Sequence, residues 1–422
     1  MLSTLAAVFV VLGCVLGMVL GFFGLATLCD AWLVPWLVCT QKKCGISDDL
    51  AGVTLLAFGG AAPEIVISIV AVMQGDTDVG FGLVAGSALI AFGFIPPFCY
   101  FSTGKPLKLS PGPIVRDTGV YICSLGAVGA MMFTDDGDIK IWESALLLVI
   151  LFVYIVFVVA TSTQQPVVRR QTLAVRKSLL PGRAGSMLGG SESAELLPPD
   201  DAEKGDDEGA GLFGRAYLHF DAFFHVMLEY TVPTPPDDDR PEEEPPSGLW
   251  TALGLFGSFV WLAGLSEAVY YLVLTICDST SFLSPVALGA VLLAAGAQIP
   301  DSLAAASMAK MGQPQGAISS TLASQIIALT LGFGLPWTIY IGMGNSVVLA
   351  STPGTEIVDG TLLGIVVVVA LAFTATTLLT LSPPKEGKVV VDRAGSVVVA
   401  SCFGAGLVGF IVIEGLYQAG VL

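Results

Sequence analysis

Apolar residues in this chain come in long unbroken runs, not in the alternating or three-four spacing of a soluble core. Each run reaches roughly 20 residues, enough for a helix to cross a hydrocarbon layer about 30 Å thick. The runs fall near 3–28, 51–73, 80–101, 118–134, 142–162, 250–275, 284–308, 315–342, 361–382 and 394–420. This pattern predicts an all-α integral membrane fold with ten spanning helices, five on each side of a polar segment over 163–248. The first run is too long for the apolar part of a secretory signal and has no positive charge before it. It is therefore read as a helix of the protein, with removal as a signal the alternative.

Within the polar segment, Gly, Ser, Pro and acidic residues dominate 181–210 and 232–247. Such a composition cannot bury a core, so the segment is expected to be a cytosolic acidic loop, largely without fixed structure. Between these stretches, residues 212–232 are dense in aromatics, with charges spaced as on one helical face. They predict an amphipathic helix at the membrane interface or against the inner side of the bundle. Both histidines, His219 and His225, lie here and read as boundary residues, not pH sensors. The acidic runs at 200–201, 206–208, 237–239 and 242–244 read as a solvated tail.

Composition supports the membrane reading. Apolar residues make up 54% and charged residues 13% of the 422, and mean hydropathy is +0.81. A soluble domain carries about a quarter charged residues. With the N-terminus outside, ten spans place all but one of the 18 basic residues on the inner side, the exception being Lys140. Both termini are then non-cytosolic, in the plasma membrane or an organelle membrane. Much of the net charge of −17 lies in the central loop. The eight cysteines show no metal spacing and are assigned no role.

The strongest internal signal is a repeat. LLAFGGAAPEIVIS surrounds Glu64 and LLAAGAQIPDSLAA surrounds Asp301. Gly75 and Gly312 each follow their acid by 11 residues, and Ser87 and Ser324 each follow by 23. Thr27–Asp30 is echoed more faintly by Thr275–Asp278. Because charge bias sends the two acid-bearing spans in opposite directions, the halves are expected to be inverted repeats, an arrangement common in secondary transporters.

A carboxylate at mid-membrane costs about 2.5–3.5 kcal/mol on insertion scales and marks a functional site by default. No Lys or Arg lies inside the ten spans to pair with Glu64 or Asp301. A bound cation, a proton or water must offset them; two protonated carboxyls bridging helices are the alternative. Pro63 and Pro300 lack the amide that would bond to the carbonyls of Gly59 and Gly296. Each central helix is thus expected to be broken, offering a carbonyl oxygen beside its acid. Such hard oxygens suit Ca²⁺ or Na⁺ better than a soft metal. Two unfilled carboxylates repel, so protons compete for the same place. Glu267, in the sixth span, is a further candidate.

These motifs resemble the alpha repeats of the cation/calcium exchanger superfamily, most closely the potassium-dependent sodium/calcium exchangers. CDAWLVP, GISDDLAG, GAAPEIVIS, WLAGLSEAVYYLV, LAAGAQIPDSLAA, GLPWTIY and TLLTLSPPK carry the likeness, in order, through nearly all ten spans. The resemblance implies alternating-access exchange of Na⁺, with K⁺, against Ca²⁺. It also implies an ion site from Glu64, Asp301, Ser87, Ser324 and Ser68, to which Gln298 and Gln325 add amide oxygens. The chain departs from the family at Gly60, Ala61, Ala297 and Gln298, where small hydroxyl residues are usual. Ala91 and Ala328 replace polar or acidic residues, and the second replaces the Asp that the family associates with potassium dependence. Ala305 stands opposite Ser68 in the repeat.

The leading expectation is a secondary active antiporter exchanging Ca²⁺ against Na⁺, its potassium residue missing. A proton-coupled divalent exchanger and a non-transporting regulator are the alternatives. Nucleophile, metal and phosphate-loop motifs are absent, so no enzyme, cofactor or nucleic-acid partner is expected; the partners are the lipid bilayer and inorganic cations.

Overall fold

The protein is described by a computed structural model over residues 2–44, 57–134, 137–161, 212–235, 247–279, 284–310, 312–349, 353–379 and 389–421. Helix α1 (Leu2–Leu28) does not stop where the first apolar run ends. It continues through a π-helical turn, Cys29–Leu33, into α2 (Val34–Cys44). The wider turn sits just ahead of Pro35, which lacks a backbone donor. Then follow α3 (Ala57–Met73), α4 (Thr77–Gly93), α5 (Ile95–Thr103), strand β1 (Leu107–Leu109), α6 (Pro111–Met132), β2 (Asp138–Ile139) and α7 (Ile141–Thr161). Helix α8 (Leu212–Thr231) lies between the halves. The second half holds α9 (Gly248–Ser279), α10 (Pro285–Leu288), a π turn (Gly289–Leu293), α11 (Ala294–Lys310), α12 (Pro314–Gly342), β3 (Val347–Val348), α13 (Pro353–Leu379), β4 (Val389–Val391) and α14 (Arg393–Gln418).

Among the described residues, eight helices are long and apolar enough to cross a membrane. Two expected spans fall short of that measure. The described part of α3 has 17 residues, and the start of that span, with the GISDDLAG segment, lies outside the described residues. Helix α6 has 22 residues but carries the Arg116–Asp117 pair near its start. Phe9, Phe152, Val408 and Val412 project from α1, α7 and α14 as exposed apolar side chains, as lipid-facing positions do.

The repeat is visible in the turns that follow the two acidic helices. Gly75 and Gly312 take left-handed φ values of 87° and 82°. Behind each, the next amide reaches back five residues, from Asp76 to Ala71 and from Gln313 to Met308. This is the Schellman closure, for which glycine has no Cβ penalty. The two turns sit at opposite ends of the molecule. After the first, Thr77 donates to the carbonyl of Val348 in β3 at 3.2 Å. After the second, the Gln315 side chain accepts from the Ser110 amide beside β1. Strands β1 and β4 pair antiparallel, Lys108 opposite Val390, and β2 pairs with β3, Asp138 opposite Val348. Because α6 runs from the first ribbon to the second, the ribbons mark the two ends. The halves therefore point in opposite directions.

Two apolar clusters form the interior. One joins α4, α6, α12 and α13, and the other joins α1, α3, α9 and α8. Helix α8 docks through Phe224 and Leu228, with Val232 just past its end, and through a buried hydrogen bond of 2.8 Å from the Thr27 hydroxyl to Asp221. His225 stacks at a tilt on Trp32, with ring centroids 4.8 Å apart. The acidic runs of the central segment lie outside the described residues.

Candidate cation-binding site

Helix α3 brings Glu64 to its middle behind a run of small residues, and the packing explains one glycine ahead of each central acid. A Cβ on Gly59 would lie 2.6 Å from a methyl of Val34, and one on Gly296 would strike the Phe22 ring. Both glycines let an acidic helix approach α1 and α2 closely. Helix α4 packs as tightly on the second half. A Cβ on Gly86 would collide with the backbone of Ala290, which fixes the neighbouring Ser87 against the centre.

Helices α3 and α11 run through Pro63 and Pro300 without interruption. This corrects the expectation of broken central helices at those prolines. What remains is the missing donor: Gly59 and Gly296 have no amide from residue i+4 to satisfy their carbonyls. The nearest irregularity in the second half is the π turn at Gly289–Leu293.

Glu64 is buried, 3% exposed. Its Oε1 accepts from Nε2 of Gln298 at 2.7 Å, and Ser87 and Gln325 face the same carboxylate. Among the described residues, Glu64 Oε2, Ser87 Oγ, Gln298 Oε1 and both polar atoms of Gln325 have no hydrogen-bond partner. Buried polar atoms are normally paired, because leaving one unpaired costs about 1–3 kcal/mol. A concentration of unpaired oxygens around one carboxylate therefore needs a further group, and a hard cation fits the donors. Asp301 is only partly buried, and the charged groups that act on it, Glu64 and Asp30, are both carboxylates.

The structure thus brings Glu64, Ser87, Gln298 and Gln325 together, with Asp301 within electrostatic range. Other expected ligands turn elsewhere. The Ser68 hydroxyl donates to the Gly332 carbonyl at 2.8 Å, joining α3 to α12. Ser324 donates to the Thr321 carbonyl of its own helix at 2.9 Å. Glu267 is exposed on α9 and is not among the charges acting on Asp301. Two residues escaped the sequence reading. Tyr121, fully buried on α6 with an unpartnered hydroxyl, lies within electrostatic range of Glu64. Asp30, exposed at the π turn, reaches Asp301 in the same sense. The echo of Thr27–Asp30 in the second half and the CDAWLVP motif were the available signals for Asp30; nothing in the sequence marked Tyr121.

One wall between α3 and α12 is apolar. Ala61, Ile65, Ile327 and Ala328 form a small apolar cluster, and Ala91 is also fully buried.

The Sodium/calcium exchanger protein family matches residues 14–160 and 250–412, both halves of the chain. The chain belongs to this family. Sodium/potassium/calcium exchanger 2 of Gallus gallus is 25% identical over 445 aligned positions, covering 78% of this chain and 68% of its own length. The Homo sapiens exchanger 2 is 40% identical over 143 residues, which span 34% of this chain and 21% of that protein. Among solved structures, the H⁺/Ca²⁺ exchanger CAX superposes with a TM-score of 0.57 at 10% identity, over 98% of this chain and 86% of that one. This likeness establishes the fold: the family member is a multi-pass integral membrane protein of the exchanger architecture.

Proposed function

We propose that this family member is a secondary active antiporter that exchanges Ca²⁺ against Na⁺ by alternating access. The observation that carries the reading is the cluster of buried, unpartnered oxygens from Glu64, Ser87, Gln298 and Gln325, in a family of sodium/calcium exchangers. Glu64 and Asp301 supply the charge, while Ser87, the two amides and the carbonyls of Gly59 and Gly296 supply neutral oxygens. Asp301 is the more open of the pair, and Asp30, which acts on it, is exposed. Coupling to K⁺ is not proposed, because Ala328 is buried in the apolar wall where the resemblance implies an acid. The termini and the β2–β3 ribbon are assigned to the non-cytosolic side, from the distribution of Lys and Arg.

In proteoliposomes, an outward Na⁺ gradient is expected to drive ⁴⁵Ca²⁺ uptake independently of K⁺. Glu64→Gln is expected to abolish it while the protein still elutes as a folded species. Undiminished uptake in that variant would refute the assignment. A proton-coupled version of the exchange is the second reading, favoured by the unpartnered Oε2 of buried Glu64. Uptake driven by a pH gradient with Na⁺ absent would establish it, and no flux under any gradient would mark a non-transporting member.

A further inference from the structure

We propose that Asp359, Glu414 and Asp78 form a second cation site, for a hard divalent ion such as Ca²⁺, at the β2–β3 end of the molecule. Asp359 is fully buried in α13, and neither of its carboxylate oxygens has a hydrogen-bond partner among the described residues. It lines a cavity of about 500 Å³ together with Asp78 at the start of α4, Ser284, Thr355, Tyr417 and Gln418. Glu414, 1% exposed on α14, accepts at one oxygen from the Ser284 amide at 2.7 Å and from Gln418 at 3.1 Å. Its other oxygen is unpartnered. Asp78 and Glu414 are the two charges that act on Asp359, and no basic residue lines the cavity. Asp359 and Asp78 thus share a partly apolar recess, with Glu414 acting on it, and among the described residues no basic side chain lines it.

The inverted repeat supplies the control. Helix α6 begins PGPIVRDTG and helix α13 begins PGTEIVDGT, so Asp117 and Asp359 occupy the same place, six residues after the opening proline. At the opposite end of the molecule, Asp117 is paired with Arg116 at 2.7 Å and receives the Tyr154 hydroxyl at 3.2 Å. In α13 the position of that arginine is Val358. The second half therefore keeps the buried acid and loses its cation, while Glu414 of the same half and Asp78 of the first half add negative charge around it. A buried charge without a partner is strongly unfavourable, and a cation from solution restores the balance. Several carboxylate oxygens with nearby hydroxyls match the ligands of a Ca²⁺-type ion. Among the described residues no three acids, cysteines or histidines already converge on one point, so binding would draw the carboxylates together. The site is separate from the central one, since Asp78 precedes Ser87 by nine residues of α4, about 14 Å along a helix.

The test is ⁴⁵Ca²⁺ equilibrium binding to the detergent-purified full chain, in a Glu64→Gln/Asp301→Asn background that removes the central acids. One Ca²⁺ per chain is expected to remain, with Kd on the order of 10⁻⁴–10⁻³ M, as for modest oxygen sites. Adding Asp359→Asn is expected to weaken it at least tenfold. Asp78→Asn, at a partly exposed helix start, is expected to weaken it several-fold and decides the matter if the Asp359 variant does not fold. Absence of residual binding, or residual binding indifferent to these substitutions, would overturn the proposal. The outcome does not depend on transport, so it stands or falls apart from the proposed exchange.

Discussion

The two oxygens of Glu64 differ: one is held by Gln298 and the other is left for something outside the protein. Replacing Gln298 by Leu removes a hydrogen bond to a charged group, worth about 1.5–3 kcal/mol, and one of the site's free oxygens. Apparent Ca²⁺ affinity is expected to fall roughly 10–100-fold, read as the KM of ⁴⁵Ca²⁺ uptake. Ser68 gives the contrasting case. Its hydroxyl is committed to the Gly332 carbonyl, so Ser68→Ala should cost about 0.5–1.5 kcal/mol of stability. A lower Tm with an unchanged KM is the expected pair of results; a raised KM with unchanged Tm would make Ser68 a ligand after all. The family resemblance implied a site role for Ser68, one helical turn after Glu64. Only the packing of α3 on α12 revealed that the hydroxyl is already used.

At the scale of elements, close approach is set by glycines whose neighbours are backbone. A side chain on Gly86 would meet Ala290 backbone atoms that have no flexible end to yield. Gly86→Val is expected to abolish the folded species on size-exclusion chromatography. Gly60, one position beyond Gly59 in α3, has open space around its Cβ direction. Gly60→Ala should therefore be neutral or raise Tm, since Ala gains up to about 1 kcal/mol over Gly within a helix. The sequence alone does not say which of the two is required to be small, because composition does not say which face of a helix meets another. The same limit explains the prolines: Pro63 and Pro300 signalled a break, yet packing on both sides of each helix holds the turns in register across them.

For the molecule as a whole, the ribbons tie the two halves together at each end. Lys108 and Val390 are directly opposed in the β1–β4 pair, a separation compatible with a disulfide. With the native cysteines replaced, Lys108→Cys/Val390→Cys should cross-link under mild oxidation while ⁴⁵Ca²⁺ uptake persists, because these strands lead into α6 and α14, away from the acidic helices. Lost uptake on cross-linking, restored by reduction, would place the ribbon among the moving parts.

The sequence by itself determined the membrane character, the repeat and the central acids. Apolar run length, the Pro-acid motif and equal spacings to Gly75/Gly312 and Ser87/Ser324 are local properties of the chain, and hydrocarbon thickness turns them directly into helices. It could not determine which oxygens remain free. Whether Ser68 or Ser87 is available, and whether Tyr121 and Asp30 reach the acids, depends on contacts between residues far apart in the chain, as Ser68 meets Gly332 across 264 residues. Those contacts exist only once the inverted halves have packed, since a buried polar atom is satisfied by its neighbours in space, not by its neighbours in sequence.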